Sequence, residues 1–251
     1  NNNMENTILV TATSDESALM RKYGAFTAMS IAEFFRDKGH DVLLMMDSVT
    51  RFAMAQREIG LSTGGPPVSR GYPPSVFALL PQLMERAGNN KKGSITAFFT
   101  VLVDGDDMND PIADQSRSIL DGHIVLTREL TEQGFYPPIN LLKSASRVMD
   151  KVVNKEHYND FLKLKRVLSL IKENEVLVRV GAYKAGMDPE LDNAMAKKEK
   201  IREFLTQDTQ KIVGFNETVA MFRKVFQWLL QCKIWLISLK KITTYQNSKL
   251  K

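Results

Sequence analysis

The chain has one cysteine in 251 residues, Cys232. That excludes an intramolecular disulfide framework and fits a reducing cytosol. Its three histidines, His40, His123 and His157, are scattered without a partner at metal-ligand spacing, so they read as structural or exposed. No apolar run reaches about 18 residues, which argues against a membrane-spanning helix. The amino end, Asn1-Asn2-Asn3-Met4-Glu5-Asn6, is polar and lacks the basic-then-apolar order of a secretory signal. From Thr218 onward acidic residues are missing, while seven basic ones lie there. Without that tail, 27 basic residues face 29 acidic ones, so the body carries −2 where the whole chain carries +5. A near-neutral body argues against a nucleic-acid-binding domain, which would need a basic face, and no nucleic acid is expected as a partner. The phosphate-cradling loop G-x-x-x-x-G-K-[ST] occurs nowhere in these residues.

What is present is an α/β pattern. Hydrophobic content of 43% and charged content of 25% are those of an ordinary globular protein of one or two domains. The most informative stretch is Val42-Leu43-Leu44-Met45-Met46-Asp47-Ser48-Val49-Thr50-Arg51-Phe52, an apolar strand run that ends in a carboxylate. In open α/β sheets ligands bind at that strand end. Phosphate-binding ATPases place an aspartate there to serve the magnesium that bridges the phosphates. The sequence therefore reads as half of a nucleotide site. Residues 8–13 read as a buried strand, with Ser14 capping a helix to about Lys38. Leu19, Tyr23, Phe26, Met29, Ile31, Phe34 and Phe35 supply its broad apolar face. Residues 50–59 form a short helix, and Pro73-Pro74 opens another through Arg86, closed by Gly88-Asn89-Asn90. Residues 94–103 read as a strand, 112–120 as a helix and 123–126 as a strand. Met20, Met29, Met45, Met46 and Met54 are expected to fill the core. After about Asp150 helical spacing replaces short apolar runs, as in Phe161, Leu164, Val167, Leu168 and Ile171, then Val176, Leu177 and Val180. Asp188-Pro189-Glu190 starts a further helix.

Several of these stretches together resemble the flagellar and virulence-type protein-export ATPases, relatives of the rotary ATP synthase subunits. They are Ala12-Thr13-Ser14-Asp15-Glu16-Ser17, Met45-Met46-Asp47-Ser48-Val49-Thr50-Arg51-Phe52-Ala53, Arg70-Gly71-Tyr72-Pro73-Pro74-Ser75-Val76-Phe77, Glu85-Arg86-Ala87-Gly88, Asp110-Pro111-Ile112, Ser144-Ala145-Ser146-Arg147 and Gly186-Met187-Asp188-Pro189-Glu190-Leu191-Asp192. The match runs in order from about Glu5 to about Phe222. It implies a partial RecA-like P-loop NTPase sheet with helices on both faces over residues 1–150, lacking the P-loop. A helical carboxyl-terminal domain follows over 151–222, then a tail, 223–251, unlike the family. Such proteins carry the phosphate loop and a barrel domain ahead of the matched region, so the chain looks like a carboxyl half, left by truncation or gene disruption. The resemblance also implies ATP and Mg2+, a homo-hexamer, and a cytoplasmic location at the inner-membrane export gate. Its implied partners are a stalk protein, a regulator, chaperones and unfolded export cargo. The fragment alone is expected to be inactive; a non-hydrolysing binding or assembly module is the other class of reading.

The resemblance assigns roles residue by residue. Asp47 serves Mg2+ through water; the local pattern alone equally allows an aspartate capping the next helix. Arg51, one turn on, faces the phosphates, or else forms a surface ion pair with Asp47 or Glu58. Arg147 reaches into the neighbouring subunit's site as an arginine finger, although spacing alone would leave it an exposed arginine after a turn. Tyr136 packs on adenine, or else is a core aromatic beside a turn. Asp107, Asn109 and Asp110 face the stalk partner, or else form a solvated turn that caps the next helix. The tail from Phe226 to Ile237 is apolar, aromatic and basic. A membrane-surface helix is one reading of it and a non-homologous extension the preferred one. Cys232, within it, is expected to be inert.

Overall fold

The computed structural model describes residues 5–107 and 109–225, and the expectations for Cys232 and for the tail beyond residue 225 lie outside them. Two compact units divide between Asp121 and Gly122.

The first unit is built on a three-stranded sheet. Helix α1 (Ala18–Asp37) leads into β1 (Asp41–Met46), followed by α2 (Val49–Ser62) and α3 (Pro74–Met84). The short β2 (Gly88–Asn89) and then β3 (Ser94–Phe99) complete the sheet in the order β1-β3-β2. β1 and β3 run parallel, with Asp41 opposite Ser94 and Met46 opposite Phe99, while β2 is antiparallel to β3. A single turn of tighter helix, Asp104–Asp106, precedes α4 (Pro111–Ile119).

The apolar alternation of β1 explains where the core lies. Val42, Leu44 and Met46 pack with Phe99 against buried Met29, Phe52, Val76, Leu80, Leu83 and Ile112, which come from all four helices. The intervening residues point the other way. Leu43 is 62% exposed, Met45 74% and Phe98 51%. Parallel sheets are normally covered on both faces; among the described residues only one face of this sheet is.

Several sequence expectations are corrected here. Residues 8–13 form no strand: among the described residues none of them pairs with a strand, and Ile8, Leu9 and Val10 are exposed. Ser17, not Ser14, caps α1, its side chain accepting from the Met20 amide. Leu19, Tyr23 and Phe34 are exposed, so the buried stripe of α1 is narrower than its apolar content suggested, with Met29 and Ala32 at its centre. Met20, Met45 and Met54 are exposed rather than core filler. β3 stops at Phe99, four residues short of the expected end.

One ion pair ties α1 to the end of α3. Arg86 donates through Nε to Glu33 Oε1 at 3.0 Å and through Nη2 to Oε2 of the same carboxylate, and also to the Ser30 hydroxyl at 3.0 Å. These bonds hold the Glu33 carboxyl below its ordinary value of 4.5. A carboxylate depressed in the folded state stabilises above its unfolded pKa, and that contribution is lost as the pH falls through the folded one. Arg86→Met should therefore cost about 1 kcal/mol at neutral pH. Urea unfolding of both proteins should show the difference full above about pH 4.5 and closing below it.

The second unit is mainly helical. A two-stranded ribbon, β4 (Gly122–His123) with β5 (Ala145–Ser146), brackets α5 (Arg128–Glu132). Then come α6 (Met149–Val152), α7 (Lys155–Glu173), α8 (Glu175–Arg179) and α9 (Pro189–Leu205), with residues 215–225 helical as well. Leu164 of α7, Ile201 of α9, and Phe222 and Val225 form its core, with the Phe204 and Phe222 rings stacked 5.4 Å apart. Asp188 caps α9 as the Asp-Pro-Glu start suggested, accepting from the Glu190 and Leu191 amides. Val176, Leu177 and Val180, expected to pack in the helical spacing, are exposed.

Candidate functional site

Asp47 stands at the carboxyl end of β1, where the chain turns into α2. The capping duty falls to Ser48, whose hydroxyl accepts from the Arg51 amide at 3.3 Å, so the capping alternative for Asp47 does not describe this turn. The Asp47 carboxylate instead accepts through Oδ1 from the Thr100 hydroxyl at 2.9 Å, from the residue just after β3.

Asp47 and Arg51 line one open cleft of about 170 Å³. Ser14, Arg21 and Phe52 share its wall. Arg51 makes no ion pair among the described residues, because Glu58 is engaged elsewhere: it accepts from Arg21 Nη2 at 2.7 Å. Arg21 also donates to the Glu16 carbonyl at 3.1 Å, which fixes the 14–16 turn against the start of α1. The cleft thus holds one carboxylate and two guanidinium groups. Sequence reading missed Arg21, since its partner Glu58 lies 37 residues away. It missed Thr100 because a threonine after a strand carries no signal of its own.

The donor set decides how a cation could be held. Among the described residues no group of three or more His, Cys, Asp or Glu side chains converges. A single carboxylate fits Mg2+ only where phosphates complete its shell, since Mg2+ keeps several waters and binds through one or two carboxylates together with substrate phosphates. The neighbouring guanidinium groups suit those phosphates rather than the metal.

The other candidates lie elsewhere. Tyr136 and Arg147 belong to the second unit, whereas Asp47 and Arg51 belong to the first. Tyr136 is 47% exposed in the loop between α5 and β5, so it is not a core aromatic. Arg147 directly follows β5 and is exposed. In the acidic loop the residues part company. Asp110 caps α4, accepting from the Ile112 and Ala113 amides, as the capping alternative held. Asp107 accepts from Arg70 at 2.5 Å and from the Asn109 amide at 2.9 Å. Arg70 sits in the left-handed region at φ 45°. Its hydrogen bond holds the Asp107 carboxyl below the usual range, and the same bond raises the Arg70 guanidinium. The histidines take structural contacts: His40 against the Phe35 ring, His123 Nε2 with the Lys143 carbonyl, and His157 against the Phe222 ring.

Comparison with known proteins places this geometry. Residues 1–146 match the model of the ATP synthase alpha/beta family, nucleotide-binding domain. The chain belongs to that family, and its fold is accordingly the RecA-like α/β class followed by a helical carboxyl-terminal region. Residues 153–224 match the T3SS EscN ATPase C-terminal domain. Among curated relatives, the flagellum-specific ATP synthase of Helicobacter pylori (strain J99 / ATCC 700824) is 59% identical over 221 residues, which is 88% of this chain and 51% of that protein. The type 3 secretion system ATPase of Pseudomonas savastanoi pv. phaseolicola is 51% identical over 212 residues, 84% of this chain and 47% of the relative. The assembled ATPase EscN from enteropathogenic E. coli superposes with a TM-score of 0.83 at 52% identity, covering 85% of this chain and 52% of EscN. EscN in complex with its central stalk EscO matches at a TM-score of 0.78 and 50% identity, over 85% of this chain and 51% of that one. The chain spans about half the length of the curated relatives it matches.

Proposed function

We propose that this chain supplies the metal-serving and neighbour-facing half of an ATPase that energises flagellar protein export. The observation that carries the reading is the convergence of Asp47, Arg51 and Arg21 in one cleft at the carboxyl end of a parallel strand. Asp47 would serve Mg2+ through water, Arg51 would bind the phosphates, Tyr136 would pack on adenine, and Arg147 would reach the site of an adjacent subunit. ATP and Mg2+ supply the phosphoryl chemistry when bound. The working form is a homo-hexamer whose stalk contact includes Asp107, Asn109 and Asp110. Relatives described as assembled and as complexed with a central stalk support that arrangement. A regulator, chaperones and unfolded cargo meet the helical region, which begins at about residue 151, and the ring works on the cytoplasmic side of the export gate. Higher identity to flagellar relatives, 59% against 51%, favours the flagellar system over virulence secretion.

The competing reading is a module that binds or assembles without hydrolysis. The missing G-x-x-x-x-G-K-[ST] pattern favours it for these 251 residues taken alone. Both readings expect the isolated chain to leave ATP intact. They divide when it is mixed with a separately expressed polypeptide bearing the phosphate loop of a close relative. ATP turnover only in the mixture supports the ATPase half. No turnover from a mixture in which both parts are folded and associated overturns it in favour of the binding module.

A further inference from the structure

We propose that Thr100 is the positioning residue of Asp47: its hydroxyl fixes the carboxylate that serves the metal, an inference that rests on the metal reading of Asp47. The geometry is a small closed network. The Thr100 amide donates to the Met46 carbonyl at 3.1 Å, and the Thr100 carbonyl accepts from the Val49 amide at 2.9 Å. Thr100 is thereby held between the residue before Asp47 and the first residue of α2. Its one hydroxyl proton has two acceptors in range, Asp47 Oδ1 at 2.9 Å and the Met46 carbonyl at 3.3 Å. The carbonyl is already satisfied by the backbone amide, and a carboxylate is the stronger acceptor, so the proton goes to Asp47.

Thr50 braces the same segment from the far side. Its hydroxyl donates to the Leu102 carbonyl at 3.2 Å and accepts from the Leu102 amide at 2.8 Å. Residues 100–102 are pinned at both ends to the strand-to-helix turn that carries Asp47. Only Oδ1 of Asp47 is engaged; Oδ2 has no hydrogen bond among the described residues. One oxygen is fixed and the other left to accept a hydrogen bond from a metal-bound water. Groups that orient a metal's carboxylate in this way typically contribute 10–100-fold in metal affinity.

The test uses the two-polypeptide assembly described above, loaded with ADP and titrated with Mn2+ followed by electron paramagnetic resonance. Thr100→Val keeps the β-branched shape and removes only the hydroxyl; Thr100→Ser keeps the hydroxyl. The Val variant should weaken Mn2+ binding about tenfold, and the Ser variant should stay within about twofold of the unaltered protein. The thermal midpoint of all three chains should agree, which a merely structural role of the hydroxyl would not give. Unchanged Mn2+ affinity in Thr100→Val overturns the inference. Asp47→Asn separates the two levels: if it abolishes Mn2+ binding while Thr100→Val does not, only the positioning role fails. If Asp47→Asn has no effect, or the unaltered assembly binds no Mn2+, the metal reading fails and the positioning role with it.

Discussion

Arg147→Ala should lower ATP turnover of the reassembled two-chain enzyme by about 10³-fold or more, the scale seen when an arginine finger is removed from a phosphoryl-transfer site. Arg147 follows a two-residue strand, is exposed, and is not among the residues that form the core of its own unit, Leu164, Ile201, Phe222 and Val225. The substitution should therefore leave folding and nucleotide affinity largely intact, so the loss should appear in kcat. Arg147→Lys should not rescue, because a point ammonium cannot replace the planar fork that meets two phosphate oxygens. Mixed oligomers give the sharper result. If Arg147 acts on the neighbouring subunit, rings that mix Arg147→Ala chains with Asp47→Ala chains regain a fraction of the activity, since some interfaces then combine an intact Asp47 with an intact Arg147. Rings with no regain at any mixing ratio would place both residues in one subunit's site and sink the trans assignment.

Leu80→Ala should destabilise the first unit by about 3 kcal/mol, within the range for emptying a buried leucine site. Leu80 is fully buried on α3 among residues from all four helices of that unit. No rearrangement confined to surface side chains fills the cavity. Leu43→Ala removes the same number of atoms from a residue 62% exposed on the uncovered sheet face. In the isolated chain it should change stability by less than about 0.5 kcal/mol. Urea unfolding of the two variants reads this directly. Similar losses in both would mean that Leu43 is covered after all in solution.

The parts of the fold legible in the sequence are those set by local chemistry. β1, α2, α3, α4 and α9 begin near where apolar periodicity, proline at the first turn and Asp188 placed them. Asp47 and Arg51 were legible because a strand run ending in a carboxylate and one helical turn bring them to one cleft without any distant contact. Residues 8–13 have the composition of a buried strand, but burial needs a neighbour, and Ile8 and Leu9 find none among the described residues. Ser14 and Ser17 are equally good caps by composition; which one serves depends on where the chain turns, and that is set by Arg21 bonding the Glu16 carbonyl. Arg21–Glu58, Arg70–Asp107 and Thr100–Asp47 span 37, 37 and 53 residues, so they become visible only once the sheet has brought its ends together.

The bare face of the β1–β3 sheet turns partner binding into a calorimetric signal. Leu43, Met45 and Phe98 expose apolar surface, and burying it on association lowers the heat capacity. A polypeptide that completes the sheet would register as a large negative heat-capacity change, whereas one that touches only the charged turn around Arg70 and Asp107 would register almost none. The temperature slope of the binding enthalpy therefore tells which surface of this chain a partner has used.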